Sequence, residues 1–477
     1  MEDYKNSINN RFLARIIIEV ETPLSVKSGE KSVVSDAVVI TDVNGLPYIP
    51  GSSIAGVLRH AWKDLKGEDE EKDLFGFQKG EDGVGSRIIF SEARILNSEG
   101  KVMDGMLYPE KISKDDLLKH YVSLPIRQHV RIGHHGVAEE HGKFDEQVVF
   151  AGTRFCFEIE MLGNDKEVNT FSELLEILNY SSFRLGSGTR CGFGKIKVVS
   201  IHQASMSVND ERYLDKSSNL EESKNWKCWK TTTERNKEKD VSEGWRTYTM
   251  TLIPDDFFLF GSGFGDENAD MTPVMELKVS WKENLAEIKE HAYLLPASSI
   301  KGAIAHRVAY HYNRLTGIFA DDFIDGGKNK EGKTMSDYVG ANNTAVRLLF
   351  GSEGKGDTKK IRGNVIFSDL YIESADAKDK ILNHVAIDRF TGGAIDGALF
   401  AEKTVYGKGY HLKLELQVNE TGVRKMAEND TVYTNIMSAF SATLDNLCNG
   451  MLPLGGGVNR GNGVFHGKLI NEERKEA

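Results

Sequence analysis

The sequence predicts an α+β protein that contains two tandem copies of one strand-and-helix module. Three observations support this fold class: the chain is long enough for several cores, a series of short motifs occurs twice in the same order, and each series begins with a strand pattern followed by a helix pattern. With 477 residues, of which 40% are hydrophobic, the chain can bury two or three separate cores.

The repeat consists of six blocks that keep their order in both halves of the chain. The paired blocks are Ser28-Gly29 plus Asp36 with Ser262-Gly263 plus Asp270, Pro50–Gly56 with Pro296–Gly302, Leu74–Gly76 with Leu349–Gly351, Ile89–Glu92 with Ile366–Asp369, His129-Val130 and the alternating Phe155–Met161 with His384-Val385 and Tyr410–Leu416, and Gly186–Gly194 with Gly455–Gly463. The first pair is separated by 234 residues and the second by 246, so the second copy has gained 12 residues between these blocks. We therefore predict a duplication.

Residues 203–245 are rich in Ser, Asn, Glu and Lys and lack sustained apolar periodicity. This composition is typical of a linker or a peripheral insertion. The predicted organisation is a first domain at 1–202, the linker or insertion at 203–245 and a second domain at 246–477. A second polar stretch, from Asp321 to Asn343, is predicted to be an insertion within the second copy.

Each copy is predicted to begin with a strand and to continue, after a long loop, into a helix. The apolar positions that alternate with period two are Phe12, Ala14, Ile16, Ile18 and Val20, and again Tyr248, Met250 and Leu252. The apolar positions that share one helical face are Ile54, Val57, Leu58, Ala61 and Leu65, and again Ile300, Ile304, Val308 and Tyr312. Further strands are predicted at Arg87–Ile95, Thr153–Met161 and Gly194–Ile201, which makes each copy an α+β sandwich of ferredoxin type.

Composition narrows the functional classes. Asp and Glu number 71 against 60 Lys and Arg, so the net charge of −11 argues against a protein that coats itself in nucleic acid, although it leaves room for a local groove. No apolar run approaches the roughly 20 residues that span a bilayer, so we expect no membrane anchor. The four cysteines form no C-x-x-C pair, which argues against a disulfide framework or a structural zinc and fits a reducing cytoplasm.

Small residues stand where each predicted helix begins. Ser52-Ser53 and Ser298-Ser299 are either plain N-caps or part of a phosphate site, because a helix start offers free backbone N–H groups to an anion. The basic residues Arg59, Lys301 and Arg307 on the following helices favour the phosphate site.

The glycine-rich loops Gly186–Gly194 and Gly455–Gly463 are open to two interpretations. Positive φ and close backbone approach suit an anion-binding nest, but the same loops could be tight turns that lead into a strand. An arginine stands in both loops, as Arg190 and Arg460, which favours the nest.

A glycine-containing polar segment links two apolar runs in each copy, from His129 to Phe150 and from His384 to Phe400. It predicts a long hairpin or an arm that projects from the sheet. The first of these segments contains His134, His135 and His141, which are either solvated loop side chains or metal ligands.

Asp36 and Asp270 follow glycine-containing loops at the same distance from the Ser-Gly pair of their copy. A loop aspartate is usually a turn residue or a cap. The equal spacing makes both of them candidates for a function.

Taken together, these residues resemble the RAMP superfamily of CRISPR proteins, and most closely the backbone subunit of type III effector complexes in a fused double form. The motifs that carry the resemblance are S-G…D-x-x-V, L-P-Y-I-P-G-S-S-I-A-G-V-L-R, L-F-G, I-I-F-S-E-A, I-D-R-F-T-G-G-A-I-D-G-A-L-F at Ile387–Phe400 and the terminal G-G-G-V-N-R-G-N-G. They cover both copies and most of the chain outside the polar stretches.

The resemblance implies that each copy is a ferredoxin-like, RNA-recognition-motif-like unit that holds a CRISPR RNA, with the arm acting as a thumb that kinks the guide–target duplex. It implies cleavage of complementary single-stranded target RNA at sites about six nucleotides apart, with Asp36 and Asp270 as the catalytic and metal-binding residues. It also implies partner subunits: a large signalling subunit, a cap subunit and further backbone and small subunits. The residues that it assigns to RNA binding are Ser52, Ser53, Gly56, Arg59, His129, Arg131, Gly186, Gly188, Arg190, Ser298, Ser299, Lys301, Arg307, His384, Arg389, Gly456, Gly457 and Arg460.

A kinked duplex can align a 2′-hydroxyl behind its own phosphate, which a regular A-form helix forbids. An aspartate with an ordinary pKa near 3.9 is a poor base at neutral pH, so we expect it to bind Mg²⁺ or Mn²⁺ that phosphate oxygens and water also coordinate. The expected products are a 2′,3′-cyclic phosphate and a 5′-hydroxyl.

Two departures from the family pattern stand out. The first arm reads V-R-I-G-H-H-G at Val130–Gly136 and lacks the I-D-R-x-T-G of the second, and Asp270 has two rival acids in Asp266 and Glu267. Two other functions stay open: a non-catalytic scaffold that binds guide RNA, and a guide-processing nuclease that uses His134, His135 or His141 for acid–base chemistry.

Overall fold

A computed structural model describes residues 8–30, 35–211, 230–232, 244–323, 327–329, 332–354, 360–373 and 377–470. The helices are α1 (Gly51–Lys66), α2 (Glu68–Phe75), α3 (Pro109–Lys114), α4 (Val168–Glu176), α5 (Ala297–Leu315), α6 (Thr344–Phe350), α7 (Glu420–Met426) and α8 (Asp430–Cys448). Short 3₁₀ turns lie at Leu118–Val122, Asp165–Glu167, Ile177–Asn179, Ala320–Phe323, Met335–Tyr338, Gly340–Asn342 and Val458–Arg460. No helix in the described ranges has the length and apolar character needed to cross a membrane.

The strands of the first copy are β1 (Asn10–Val20), β2 (Phe77–Lys79), β3 (Asp82–Val84), β4 (Ile88–Phe90), β5 (Arg94–Ile95), β6 (Ile126–Ile132), β7 (Ala138–Gln147), β8 (Arg154–Gly163), β9 (Ile196–Ser207) and β10 (Lys230–Thr232). Those of the second are β11 (Trp245–Pro254), β12 (Phe257–Phe258), β13 (Met275–Lys282), β14 (Leu285–Leu295), β15 (Gly351–Ser352), β16 (Ile361–Arg362), β17 (Val365–Ile366), β18 (Leu370–Ile372), β19 (Lys378–His384), β20 (Phe400–Tyr406), β21 (Leu412–Asn419) and β22 (Phe465–Ile470).

The main sheets of the two copies have the same antiparallel strand order. In the first copy β9, β1, β8 and β4 lie side by side, and β10 extends the edge next to β9. In the second the order is β22, β11, β21 and β17. One hydrophobic core lies against each sheet: Ile54 and Leu58 of α1 pack with β1, and Ile300 and Ile304 of α5 pack with β11.

The strand and helix patterns read from the sequence match these elements. The five alternating residues of β1 are all at most 2% exposed, which confirms the predicted strand. On α1 the side chains of Ile54 and Leu58 are buried while Leu65 is 37% exposed, so the apolar face ends before the last turn.

The predicted linker coincides only in part with irregular chain. Strand β9 continues to Ser207, residues 230–232 form β10, and β11 begins at Trp245. Residues 212–229 and 233–243 of the predicted 203–245 segment lie outside the described residues. In the second polar stretch, the described residues form short turns that lead to Asn343, whose side chain accepts hydrogen bonds from the N-terminus of α6.

The register of one repeated strand differs from the prediction. Ile16 pairs with Phe157, and Met250, which lies 234 residues after Ile16, pairs with Leu414. Phe157 is therefore equivalent to Leu414, not to Leu412 as the sequence pattern indicated. A shift of two residues preserves the alternation between the two faces of a strand, so hydrophobic periodicity cannot detect it.

The 12 residues gained by the second copy fall in the hairpin β13–β14, which reaches onto the first copy. Val279 is buried in the first core. Trp281 donates from Nε1 to the carbonyl of Gly152 at 2.7 Å, and the guanidinium of Arg154 lies 4.2 Å from its ring centre.

Both predicted arms are present as two-stranded hairpins, β6–β7 in the first copy and β19–β20 in the second. The connection of the second arm, residues 385–399, is longer and carries Phe390 with 99% of its surface exposed. The base of the first arm lies against the second copy, where a methyl group added to Gly263 would be 3.1 Å from Oε1 of Gln128.

Candidate nucleic-acid interface and paired aspartates

Asp36 and Asp270 occupy equivalent positions beside the second strand of their arm. The N–H of Asp36 donates to Oδ1 of Asp145 at 2.9 Å, and Oδ2 of Asp36 accepts from the N–H of Asp145 at 3.2 Å. In the second copy the N–H of Asp270 donates to the carbonyl of Ala401 at 2.9 Å, and Oδ2 of Asp270 accepts from the N–H of Ala401 at 2.7 Å. Both aspartates are exposed, and within the described ranges neither Oδ1 atom accepts a hydrogen bond.

The two rival acids near Asp270 do not share this geometry. Oδ1 of Asp266 accepts from the N–H groups of Asn268 at 2.8 Å and Ala269 at 2.9 Å, so Asp266 caps a turn. These hydrogen bonds, with Lys403 nearby, lower the pKa of Asp266. Glu267 is exposed and has no partner in the part of the chain that the structure describes. Only Asp270 repeats the contacts of Asp36.

Each arm base holds a histidine between a phenylalanine and a buried glutamate; we call this set the arm clamp. The rings of His129 and Phe144 stack with centres 4.8 Å apart, and Nε2 of His129 lies 3.2 Å from Oε1 of Glu146. The second clamp, His384, Phe400 and Glu402, has the corresponding distances of 4.9 and 3.0 Å. The residue between the phenylalanine and the glutamate is the one that bonds to the candidate aspartate.

The cation that balances the buried glutamate comes from a different place in each copy. In the first, Nζ of Lys27, from the loop after β1, lies 3.1 Å from Oε2 of Glu146. Burial alone would favour the neutral acid, but hydrogen bonds from His129 and Lys27 outweigh it and lower the pKa of Glu146.

In the second copy, the glycine-rich loop supplies the partners. Arg460 donates from Nη2 to Oε2 of Glu402 at 2.5 Å, and Asn462 donates from Nδ2 to Oε1 at 2.9 Å. Burial again opposes these bonds, whose net effect is to lower the pKa of Glu402. Arg460 also lies over the ring of Phe400, 5.3 Å from its centre, so the loop and the arm clamp form one unit.

The two glycine-rich loops make the same backbone bonds. The N–H of Ser187 donates to the carbonyl of Ser25 at 2.7 Å, and the N–H of Gly456 donates to the carbonyl of Leu259 at 2.6 Å. Gly186 and Gly455 have φ of 79° and 93°, a conformation in which a side chain is strained. Each loop is therefore both a tight turn into the last strand and a row of exposed backbone beside the arm.

A family model of the RAMP superfamily matches residues 17–197 and 292–466, one range in each copy. The chain belongs to the RAMP superfamily. Members of this superfamily bind CRISPR RNA and act in multi-subunit complexes. No curated protein matches the chain significantly.

The helix starts of the two RAMP copies differ from the capping interpretation of their serines. The N-cap residues are Pro50 and Pro296, and neither helix has a side-chain cap, so plain capping by the serines is wrong. Ser52 and Ser299 are exposed, and Ser53 and Ser298 are half-buried. In the second copy the N–H of Ala297 already donates to Oδ1 of Asp369 at 2.7 Å, so a carboxylate of the protein occupies that helix start.

Four of the basic residues assigned to RNA binding contact other parts of the RAMP chain. Arg59 pairs with Glu71, Arg190 donates from Nε to the carbonyl of Gly363 at 2.9 Å, Lys301 lies 3.8 Å from Sγ of Cys191, and Arg307 donates to the carbonyl of Met451 at 2.8 Å. Burial, with Arg362 and Arg184 nearby, lowers the pKa of Arg190 to about 9. Their role in RNA binding stays a prediction.

The other assigned residues lie on the arms and loops. Arg131 is 54% exposed and lies 3.3 Å from Glu353, whereas Arg389, at the tip of the second arm, is exposed and makes no contact with any described side chain. Gly56 faces open space on α1, and Gly188 and Gly457 have φ of 66° and 68°.

The residues present can supply only part of a metal site. Among the described residues, no three His, Cys, Asp or Glu side chains are grouped so as to hold a metal ion. The first copy offers two neighbouring carboxylates, Asp36 and Asp145, and the second offers Asp270 beside Ala401. This fits an ion whose remaining ligands are phosphate oxygens and water.

The three arm histidines lie away from both clamps. The rings of His134 and His135 are 3.8 Å apart at the turn of the first arm. His141 is 93% exposed, and its closest charged group is Oε1 of Glu140 at 3.8 Å.

Our sequence analysis missed the glutamates of the arm clamps. A signal was present, since Phe-x-Glu occurs at Phe144–Glu146 and at Phe400–Glu402, at the end of each arm segment.

It also missed a buried charge network between the copies. Arg127 donates to Oδ2 of Asp369 at 2.6 Å and makes a bidentate pair with Glu276 at 2.8 and 2.6 Å. Tyr371 donates to Oε2 of Glu276 at 2.9 Å. No repeat reveals this network, because Leu382 stands at the position of Arg127 in the second copy.

Proposed function

We propose that this chain is a double backbone subunit of a type III CRISPR effector complex, which holds the CRISPR RNA and cuts complementary target RNA at two sites about six nucleotides apart. The observation that carries the proposal is the shared geometry of Asp36 and Asp270. Each carboxylate is fixed by a backbone N–H of its arm through Oδ2 and leaves Oδ1 exposed.

The common strand order supports two ferredoxin-like units, because a β-α-β-β-α-β chain folds into such a sheet. In each unit the arm, the glycine-rich loop and the aspartate meet around one arm clamp. RNA that follows the exposed loop backbone would therefore pass beside the arm and the aspartate. The remaining partners in this proposal are target RNA, the large signalling and cap subunits, and further backbone and small subunits.

The chemistry follows from the placement of the aspartate at the arm. A nucleotide displaced by the arm can turn its 2′-hydroxyl in line with its own 3′-phosphate. Mg²⁺ or Mn²⁺ held at this carboxylate would supply charge stabilisation to the phosphate. The backbone N–H at Oδ2 orients the aspartate so that Oδ1 points to one place on the strand. Chelation of the ion with EDTA should stop both cuts.

The test uses the effector complex assembled with guide RNA and an end-labelled target. Asp36→Asn should remove one cleavage product and Asp270→Asn the other, each by more than about a hundredfold, because loss of a transition-state charge contact typically costs that much. Glu267→Gln is the matched control, since it neutralises an exposed acid of the same loop. Retention of both products in the two aspartate variants would refute the proposal, and loss of the second product in Glu267→Gln would move the site.

A non-catalytic scaffold is the second candidate, and a specific observation favours it: several basic residues that could grip RNA are engaged within the chain. The same assay separates the two functions. A wild-type complex that binds target RNA but yields no product would establish the scaffold. Guide processing by the arm histidines is tested by replacing His134, His135 and His141 together, and normal guide maturation in that variant would exclude it.

A further inference from the structure

The junction between the two copies is directional. The first arm and the first glycine-rich loop contact a face of the second copy that includes the start of α5, Glu276 and Asp369; we call the first surface the donor and this face the receiver. A junction between different surfaces leaves one unused receiver and one unused donor at its ends. The unused receiver lies on the first copy and the unused donor on the second.

The glycine-rich loops show that the second donor is uncovered. A methyl group at Gly192 would lie 2.5 Å from Oδ1 of Asp369 and 2.6 Å from Cβ of Ala297. The equivalent glycine of the second copy is Gly461, and a methyl group there would meet nothing within 4 Å.

At the first contact of the junction, the cation has changed sides. Inside the junction it comes from the donor as Arg127, and the receiver supplies Glu276, Asp369 and Tyr371. On the unused donor, Leu382 replaces Arg127, since each is the strand partner of its clamp glutamate.

The unused receiver has gained what the unused donor lacks. Arg94 stands at the position of Tyr371, between Asp42 and Glu92, which correspond to Glu276 and Asp369. It lies 3.4 Å from Oδ2 of Asp42 and also pairs with Glu92, so both acids have a cation within their own copy. Arg94 is 24% and Glu92 46% exposed, so an incoming surface can reach them.

A second contact shows the same exchange in the opposite direction. Inside the junction, Nζ of Lys301 on the receiver lies 3.8 Å from Sγ of Cys191 on the donor. At the equivalent positions, the unused receiver has Ala55 and the unused donor has Arg460. Each contact therefore keeps one cation, on the opposite side.

We propose that the unused receiver of the first copy is selective for an arm that carries an uncharged side chain at the position of Arg127. Arg94 balances the two acids and repels an arm arginine, so an arm like the first one of this chain is excluded. The partner is a protein with such a neutral arm. A second copy of this chain, which presents Leu382, is one protein that fulfils the condition.

The test measures association in trans between two tagged forms of the full chain, without RNA, by sedimentation velocity. Leu382→Arg turns the second arm into an arginine arm, and Arg94→Tyr turns the unused receiver into one like that of the second copy. The mixture of the two variants should bind at least about tenfold more tightly than Leu382→Arg mixed with wild type, because like charges at a contact are unfavourable. The mixed complex should stop at two chains, since only one pair of ends is matched.

Equal affinity in the two mixtures, or no association in either, would overturn the proposal. Circular dichroism establishes that both variants are folded. Glu99→Gln, at an exposed acid of the first copy, serves as the neutral control for Arg94→Tyr. The outcome is independent of whether Asp36 and Asp270 cut RNA.

Discussion

At the residue scale, the two candidate sites differ in one side chain that sequence comparison alone does not weigh. Asp145, which exchanges backbone bonds with Asp36, is replaced by Ala401 in the second copy. The first site therefore has a second carboxylate within reach of the phosphate-binding region. Under the proposed function, this predicts that the two cuts differ in their demand for a divalent ion.

Asp145→Ala should raise the Mg²⁺ concentration needed for the first cut by roughly tenfold or more, because a group next to a metal ligand commonly contributes that much to affinity. The second cut of the same RNA is the internal control and should keep its Mg²⁺ dependence. The measurement is a titration of both products in one reaction. Parallel curves for the two products would contradict the prediction.

A second residue-scale effect concerns pH. Burial, reinforced by Glu160 and Asp104 and opposed by Arg15, raises the pKa of Glu158 to about 7. The folded protein then binds more protons than the unfolded chain between the ordinary pKa of about 4.5 and pH 7. The free energy of unfolding therefore falls as the pH rises through this interval, and the penalty is complete above it.

Glu158→Gln should remove this penalty. We expect the variant to be more stable than wild type at pH 8 by on the order of 2 kcal/mol, and to be equal to it at pH 4. Urea unfolding at the two pH values provides the measurement. Glu267→Gln, at an exposed acid, should show no such difference, and a gain for Glu158→Gln that is the same at both pH values would exclude the titration as its cause.

At the scale of elements, the sequence was sufficient for what repeats and insufficient for what does not. Buried strand β1 and helix α1 follow from periodicity, and the alignment of Asp36 with Asp270 follows from equal spacing and matches the hydrogen bonds to the arm strands. The strand pairing of Phe157 could not be found in this way, because a two-residue shift leaves the pattern of buried faces unchanged.

The remaining elements depend on contacts between the copies. The 12 extra residues of the second copy were visible as a gap, but only the structure shows that hairpin β13–β14 places Val279 in the core of the first copy. Several arginines read as phosphate ligands instead meet carbonyls or acids of the other copy or of the same one. A basic residue in a loop has the same appearance in sequence whether its partner is RNA or protein.

On the scale of the whole molecule, two elements cross the junction in opposite directions. The first arm reaches the second copy, and hairpin β13–β14 reaches the first. The charges of Arg127, Glu276 and Asp369 lie between them, with side chains 4%, 10% and 0% exposed. Burial of an ion pair seldom adds net stability, but removal of one partner leaves the other charges unsatisfied.

Arg127→Met should therefore destabilise the junction by about 3–5 kcal/mol, because two buried carboxylates lose their cation. We expect the copies to unfold in separate steps in urea, since the contact that couples them is the one affected. Arg131→Met, on the same arm strand but 54% exposed, is the matched control and should change stability by less than about 1 kcal/mol. The triple variant Arg127→Met, Glu276→Gln and Asp369→Asn should recover much of the loss, because it removes the unpaired charges together. If Arg127→Met unfolds at the same urea concentration as Arg131→Met, the network does not hold the copies together and the first arm is positioned by its other contacts.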